Sequence, residues 1–193
     1  MTNEQALVKL GLDRSLSSKL NDFIVLFEKW NKSINLSAAS SRGDLIAHVN
    51  DSLHVVPRLR SATRVLDVGS GGGFPVVVAA ICLPGVEFVS LEPVHKKHAF
   101  LRTAARELGL ANLEARAERL EDHDGGLYDA AMSRATFDLR DWLEVAAEHV
   151  RPGGVVLGFE AVRRDDLPSA VERDTYNIDG KLRSIVVLSV PAT

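Results

Sequence analysis

The rhythm of apolar residues changes near position 60. Before it, Leu16, Leu20, Phe23, Phe27 and Trp30 recur at spacings of three and four, which places them on one stripe of an amphipathic helix behind serines suited to capping its start. Such a stripe predicts a helix laid on a face or edge of a larger core. From Thr63 the pattern becomes short apolar runs, RVLDV, EFVSL, LEA, YDAAMS and GVVLGF, separated by helical periodicity at 95–109 and 139–150. That alternation predicts a mostly parallel sheet with helices on both faces. The chain then runs through YNIDGKLRSIVVLSV, where Asp179-Gly180 marks a tight turn between two strand-like runs. The expected architecture is a doubly wound α/β domain over residues 61–193, with helices over 1–60 packed on it and an antiparallel hairpin at the C-terminal end.

Bulk properties narrow the setting. A chain of 193 residues with 46% hydrophobic and 25% charged residues suits one principal domain, and no apolar run approaches the ~18 residues needed to cross a bilayer. The start, MTNEQALVKLGLD, lacks the pattern of a secretory signal. The one cysteine, Cys82, excludes a disulfide framework or a multi-cysteine metal site. Together these point to a cytoplasmic protein without membrane contact. Cys82 falls in the helical run after a glycine-rich loop and reads as core rather than nucleophile. The six histidines show no metal-ligand spacing and read as surface or capping residues, so no metal is expected. A net charge of -3 gives no global attraction to polyanions, so any nucleic-acid contact must be local. The best local patch is His95, Lys96, Lys97, His98, Arg102 and Arg106 on one predicted helix; the alternative is a solvated helix face.

Candidate chemistry is concentrated in one loop. The buried-strand run Arg64-Val65-Leu66-Asp67-Val68 leads directly into Gly69-Ser70-Gly71-Gly72-Gly73-Phe74-Pro75, and a helical run follows. Strand, glycine loop and helix in that order form a nucleotide site, because a loop without side chains lets a ligand lie against backbone amides. A dinucleotide fingerprint wants G-x-G-x-x-G, but Phe74 stands where its third glycine belongs. Asp67 suits the cationic methionine head of S-adenosylmethionine and sits poorly beside a pyrophosphate. The spacing of Gly69, Gly71 and Gly73 therefore favours S-adenosylmethionine over NAD. Glu92, after the second strand run, is placed to accept both ribose hydroxyls. Ala117 and Glu118, after the third, could meet the adenine ring, although a solvated helix-start glutamate reads equally well. Ser133-Arg134-Ala135 closes the fourth run at the ligand edge, with Arg134 either a site residue or a surface cation.

These stretches resemble one family, the bacterial 16S ribosomal RNA guanine-N7 methyltransferases, also called glucose-inhibited division protein B. The resemblance rests on Trp30-Asn31-Lys32-Ser33-Ile34-Asn35-Leu36, His48 with Asp51-Ser52-Leu53, LDVGSGGGFP, Leu91-Glu92 with Lys96-Lys97 and Phe100-Leu101, Glu107-Leu108-Gly109-Leu110 with Asn112, and Ser133-Arg134-Ala135. It implies the Rossmann-like fold of class I S-adenosylmethionine-dependent methyltransferases. It also implies cofactor contacts at Gly69, Phe74, Glu92, Ala117, Glu118 and Arg134, and 16S ribosomal RNA or the small ribosomal subunit as partner of a monomeric enzyme. Asn35, His48 and Asp51 would border the substrate opening, or else tie the N-terminal helices to the sheet. Methyl transfer to an exposed guanine N7 rests on positioning, so no essential nucleophile or base is expected. Two departures stand out: Val76 where the family continues F-P-G, and Glu160 where it carries a lysine after the fifth strand. The second sets a carboxylate where a phosphate-attracting cation is usual, which predicts weakened RNA contact there. A small-molecule methyltransferase and a binding protein without turnover remain as alternative readings.

Overall fold

The computed structural model describes residues 1–36 and 41–192. Among them, β1 (Arg64–Val68), β2 (Glu87–Leu91), β3 (Leu113–Arg116), β4 (Tyr128–Ser133), β5 (Val150–Glu160), β6 (Glu172–Ile178) and β7 (Lys181–Ser189) form a single sheet in the order β3-β2-β1-β4-β5-β7-β6. Strands β1 to β5 run parallel. Strand β7 enters antiparallel between β5 and β6. Because β1 lies between β2 and β4, the strand order reverses there, and such a switch point opens a crevice at the carboxyl ends of the strands.

The apolar runs RVLDV, EFVSL and YDAAMS are β1, β2 and β4 residue for residue. The hairpin turns at Asp179 (φ 50°) and Gly180 (φ 81°), two successive left-handed residues of the kind a tight two-residue turn requires. Its first strand begins at Glu172, ahead of the expected Tyr176, because a polar edge strand carries little alternation to read. Arg58 holds that edge from outside, with Nε 2.6 Å from Asp174 Oδ2 and Nη2 3.0 Å from Glu172 Oε2.

Helices α1 (Asn3–Lys9), α2 (Ser17–Ile34), α3 (Arg42–Leu53), α4 (Val56–Leu59), α5 (Val76–Cys82) and α6 (His95–Glu107) share one core with one face of the sheet. Helix α7 (Leu139–Ala147) packs on the other face through Trp142 and Leu143. Along β1 the alternation sends Val65 to the first core and Leu66 and Val68 to the second, so Asp67 points toward the side of the N-terminal helices. Cys82 ends α5 as a buried residue, and burial pushes its thiol up to about 12, which suits a core side chain and not a nucleophile.

The expected stripe is the buried face of α2: Leu20, Phe23 and Phe27 are fully buried, with Leu16 and Trp30 at its margins. The helix start differs from expectation. No serine caps α2; a single 3₁₀ turn, Arg14–Leu16, leads into it, and Asp13 caps that turn by accepting from Ser15 N at 2.9 Å. What the stripe packs on ties the N-terminal region to the glycine loop. The Phe74 ring lies 5.1 Å from Phe23 and 5.4 Å from Phe27, and Phe100 lies 5.8 Å from Phe27 and 5.7 Å from Trp30. A side chain at Gly72 would run into the Phe27 ring, so this glycine exists for helix packing. Replacing Phe27 with alanine is expected to cost about 3–5 kcal/mol of stability. Denaturant unfolding at unchanged m-value will read the loss.

Candidate functional site

The first half of the loop 69–75 is fastened to the ends of β1 and β2 by the protein's own hydrogen bonds. Gly69 N and Ser70 N both donate to Leu91 O, at 2.9 and 3.3 Å, which ties the exit of β1 to the end of β2. Ser70 Oγ donates to Asp67 O and receives a hydrogen bond from Ser90 Oγ at 2.7 Å. Glu92, almost fully buried, accepts from Gly71 N through Oε2 at 2.8 Å and from Val94 N through Oε1 at 2.9 Å. A carboxylate has about four lone-pair sites, so each oxygen keeps acceptor capacity toward the crevice. The glycines divide by role. At Gly71 (φ 52°) a Cβ would meet nothing closer than Gly69 O at 3.8 Å, so the space beside it is open, whereas a Cβ at Gly69 would overlap Thr136 and one at Gly73 would press on Val77 and Phe23.

Asp67 is the electrostatic anomaly of the site. It is 1% exposed, and among the described residues neither carboxylate oxygen has a hydrogen-bond partner, the Ser70 hydroxyl donating to the Asp67 backbone carbonyl. Burial pushes its carboxyl up to about 7, while the nearby Ser70 hydroxyl and, less strongly, the Arg134 charge pull the other way. An unpaired buried carboxylate is costly. A cationic ligand head is the group that would complete it.

Two cavities flank the segment after β4. One, of about 230 Å³, is lined by Val68, Gly69, Leu91, Pro93, Glu118, Leu120, Thr136 and Phe137 among others. Its slot of apolar walls with Glu118 at the rim has the character of a purine site. Ala117 follows β3 and is exposed; it precedes Glu118 in the chain but does not itself line the cavity. The other cavity, of about 220 Å³, is bounded by His48, Asp51, Arg134, Ala135, Phe159, Glu160, Tyr176 and Arg183. Consecutive residues thus face different spaces: Ala135, in a left-handed turn at φ 59°, lines the second, and Thr136 the first. The sequence Ser133-Arg134-Ala135 explains the split. Ser133 Oγ staples the end of β4 to Val68 O at 2.9 Å, Ala135 reverses the chain, and Thr136 Oγ1 donates to Gly69 O at 3.2 Å.

Arg134 is largely buried and lines the second cavity, so it is not an ordinary surface cation. Its guanidinium lies 5.1 Å from the Phe74 ring centre and 6.0 Å from that of Phe159, and it reaches only long contacts, 3.4 Å, to His48 Nδ1 and Asp51 Oδ2. Asp51 also accepts from Tyr176 OH at 2.8 Å and stands 3.8 Å from Arg183 Nη1. It therefore ties helix α3 to the sheet and borders the cavity at once. Burial and the Arg134 charge hold the His48 ring below its ordinary value, and burial raises the Tyr176 phenol, which stays protonated as a donor. Sequence reasoning missed Phe159, Tyr176 and Arg183. The last two face each other across the hairpin register, and no local motif marks them.

Other expected residues fall less centrally. Phe74 is packed among Phe23, Phe27 and His48, which leaves its backbone, not its ring, for a ligand. Asn35 is exposed and closes α2 in the left-handed conformation (φ 55°). The basic set on α6 divides. Lys96 and Lys97 are turned about 100° and 200° around the helix from His95, while Arg102 and Arg106 share its side, and His98 Nε2 turns inward to Ala115 O at 3.1 Å. The reading of all histidines as surface or capping groups fails at His123, whose side chain is fully buried. The expectation that Glu160 presents a repelling charge is also corrected. Its carboxylate is 2% exposed and accepts from Arg173 Nε at 2.9 Å and Arg164 N at 2.8 Å, so the charge is spent internally. Val76 is a buried first residue of α5, away from the open side of the loop.

The orphaned Asp67 carboxylate, the open side of Gly71, the spare lone pairs of Glu92 and the purine-sized slot together fit S-adenosylmethionine. Comparison with known proteins agrees. The family model for rRNA small subunit methyltransferase G (GidB) matches residues 16–188. The ribosomal RNA small subunit methyltransferase G of Aromatoleum aromaticum is 39% identical over 175 residues, covering 86% of this chain and 83% of that protein. The protein of the same name from Burkholderia pseudomallei is 41% identical over 192 residues, covering 95% and 81%. Among solved structures, an RNA methyltransferase from Salinibacter ruber in complex with S-adenosyl-L-homocysteine matches with a TM-score of 0.58 at 20% identity, over 75% of this chain and 91% of that one. At that identity the likeness speaks for the fold alone.

A pH dependence follows from Asp67. Its proton competes with a cationic ligand below pH about 7, so affinity for S-adenosylmethionine should fall as pH drops through that value, approaching about tenfold per pH unit. Above about 8 the ligand's own α-amino group begins to lose its charge, so affinity peaks between the two. Calorimetric titration across pH 5 to 9 checks this, with Asp67→Asn expected to bind weakly and to lose the acid limb.

Proposed function

The chain belongs to the rRNA small subunit methyltransferase G family, and on that premise we propose that it transfers the methyl group of S-adenosylmethionine to N7 of a guanine in 16S ribosomal RNA. The fold is that of class I S-adenosylmethionine-dependent methyltransferases. The observation that carries the proposal is the pair of cavities divided by the single step from Ala135 to Thr136, with the unpaired Asp67 carboxylate at the end of the neighbouring strand.

In the donor cavity the chain's residues bind and orient. Asp67 supplies the counter-charge for a cationic methionine head, the open side of Gly71 leaves room for it, Glu92 accepts from ribose hydroxyls, and Glu118, with Ala117 next to it in the chain, meets the base. When bound, S-adenosylmethionine supplies a methyl group on a cationic sulfur. In the acceptor cavity Arg134 and Arg183 face one carboxylate, Asp51, because Glu160 is already taken by Arg173. Two guanidiniums with only long contacts suit a ligand rich in acceptors, and the edge of guanine that carries O6 and N7 is such a surface. A donor on O6 leaves the N7 lone pair free. Guanine N7 carries no proton to remove, so His48, neutral by virtue of burial, has no base to be, and the enzyme acts by placement.

On this reading the protein works as a cytoplasmic monomer on 16S RNA within the small subunit, with Asn35, Lys96 and Lys97 on the RNA side. The loss of an RNA-attracting lysine at position 160 is local, because the carboxylate there faces Arg173 and not the solvent. Mapping N7-methylguanine in 16S RNA from cells with and without the gene tests the proposal. One site is expected to lose its methyl group in the deletion and regain it with the intact gene but not with Arg134→Ala. An unchanged 16S methylation pattern would remove the RNA assignment.

A further inference from the structure

Behind the donor cavity runs a buried relay that the proposed chemistry does not use. The His123 side chain is fully buried, with Nδ1 2.5 Å from Glu118 Oε1 and Nε2 2.7 Å from Tyr128 OH. A carboxylate accepts only, so Nδ1 carries the proton toward Glu118, and in the neutral imidazole Nε2 is then the acceptor for the tyrosine hydroxyl. Donation therefore runs Tyr128 to His123 to Glu118. The surroundings support this direction. Burial raises the Tyr128 phenol, the Arg64 guanidinium lies 4.4 Å from its ring centre, and Gly125 closes over the pair, since a side chain there would overlap both the imidazole and the phenol oxygen. Arg116 stands 3.8 Å from Glu118 but is already forked onto Glu114, at 2.8 and 3.3 Å, so the imidazole is the main hold on the carboxylate.

Glu118 is about one third exposed and lines the slot with Leu91, Pro93, Leu120 and Phe137. Among the described residues its Oε2 accepts no hydrogen bond. We infer that His123 is a positioning residue: by pinning Oε1 it aims Oε2 as a fixed acceptor into the slot, and so selects a purine with an exocyclic amine over one with a carbonyl. Without the relay, a glutamate one third exposed would sample several rotamers and lose entropy on meeting the base. The inference rests on the reading of this slot as the adenine site, and it concerns a residue that touches no ligand itself.

The test uses the purified protein and two probes, S-adenosylhomocysteine and its inosyl counterpart, in which a carbonyl replaces the amine. Dissociation constants are measured by calorimetry for the unmodified protein, His123→Leu, His123→Asn, Glu118→Ala and the Glu118→Ala/His123→Leu double variant. His123→Leu is expected to weaken the adenosyl probe about tenfold and to reduce its preference over the inosyl probe. His123→Asn, which keeps a side-chain N–H near the Nδ1 position, should recover most of both. In the Glu118→Ala background the His123 change should have no further effect on either probe, which a general loss of structure could not produce. If His123→Leu acts equally in both backgrounds, or leaves the preference between probes intact while Glu118→Ala abolishes it, the positioning role falls and the slot stands. If Glu118→Ala changes neither probe, the adenine reading of the slot itself is overturned and the inference with it.

Discussion

A carboxylate with no partner, shut away at the end of the central strand, is the constraint around which this protein is arranged. Asp67 sits where β1 meets the crevice, is cut off from water, and among the described residues its carboxylate accepts no hydrogen bond. Burial of that kind is tolerated at functional sites and seldom elsewhere. Its neighbours are already spoken for: Ser70 and Ser90 bond each other, Glu92 holds Gly71 and Val94, and Arg134 leans on Phe74 toward Asp51. Only a cation arriving from outside would complete it, and the open face of Gly71 gives that cation its room.

The N-terminal helices are part of this arrangement and not an attachment to it. Phe23 and Phe27 support the loop from below through Phe74, and Gly72 lacks a side chain because Phe27 fills the space. Helix α3 contributes Asp51, which joins Arg134 after β4 to Tyr176 and Arg183 on the C-terminal hairpin. A cavity wall made from three distant parts of the chain can be built only after the sheet has closed. This couples the acceptor side to the completed fold, while the donor side depends mainly on local connections around β1 and β2.

That difference also decides what could be read from the chain. The strands β1, β2 and β4 were legible because buried parallel strands are continuous apolar runs, and the loop at 69–75 was legible because its glycines lie next to each other. Asp67, Glu92 and Arg134 could be named from their positions at strand ends. Tyr176 and Arg183 could not, since they approach Asp51 only through the antiparallel register of a polar edge. His123 looked like any loop histidine until the fold set it between Glu118 and Tyr128. Glu160 misled because charge was counted without its partner: Arg173 stands 2.9 Å away at the start of the next strand, β6, whose polar run gave no sign of where it would fold.

The most direct measurement is a calorimetric titration of the purified protein with S-adenosylmethionine and, separately, with NAD. The arrangement around Asp67 requires saturable one-to-one uptake of the sulfonium ligand and no detectable uptake of the dinucleotide, whose pyrophosphate would be brought against a carboxylate. Uptake of NAD with indifference to S-adenosylmethionine would contradict the account at its foundation.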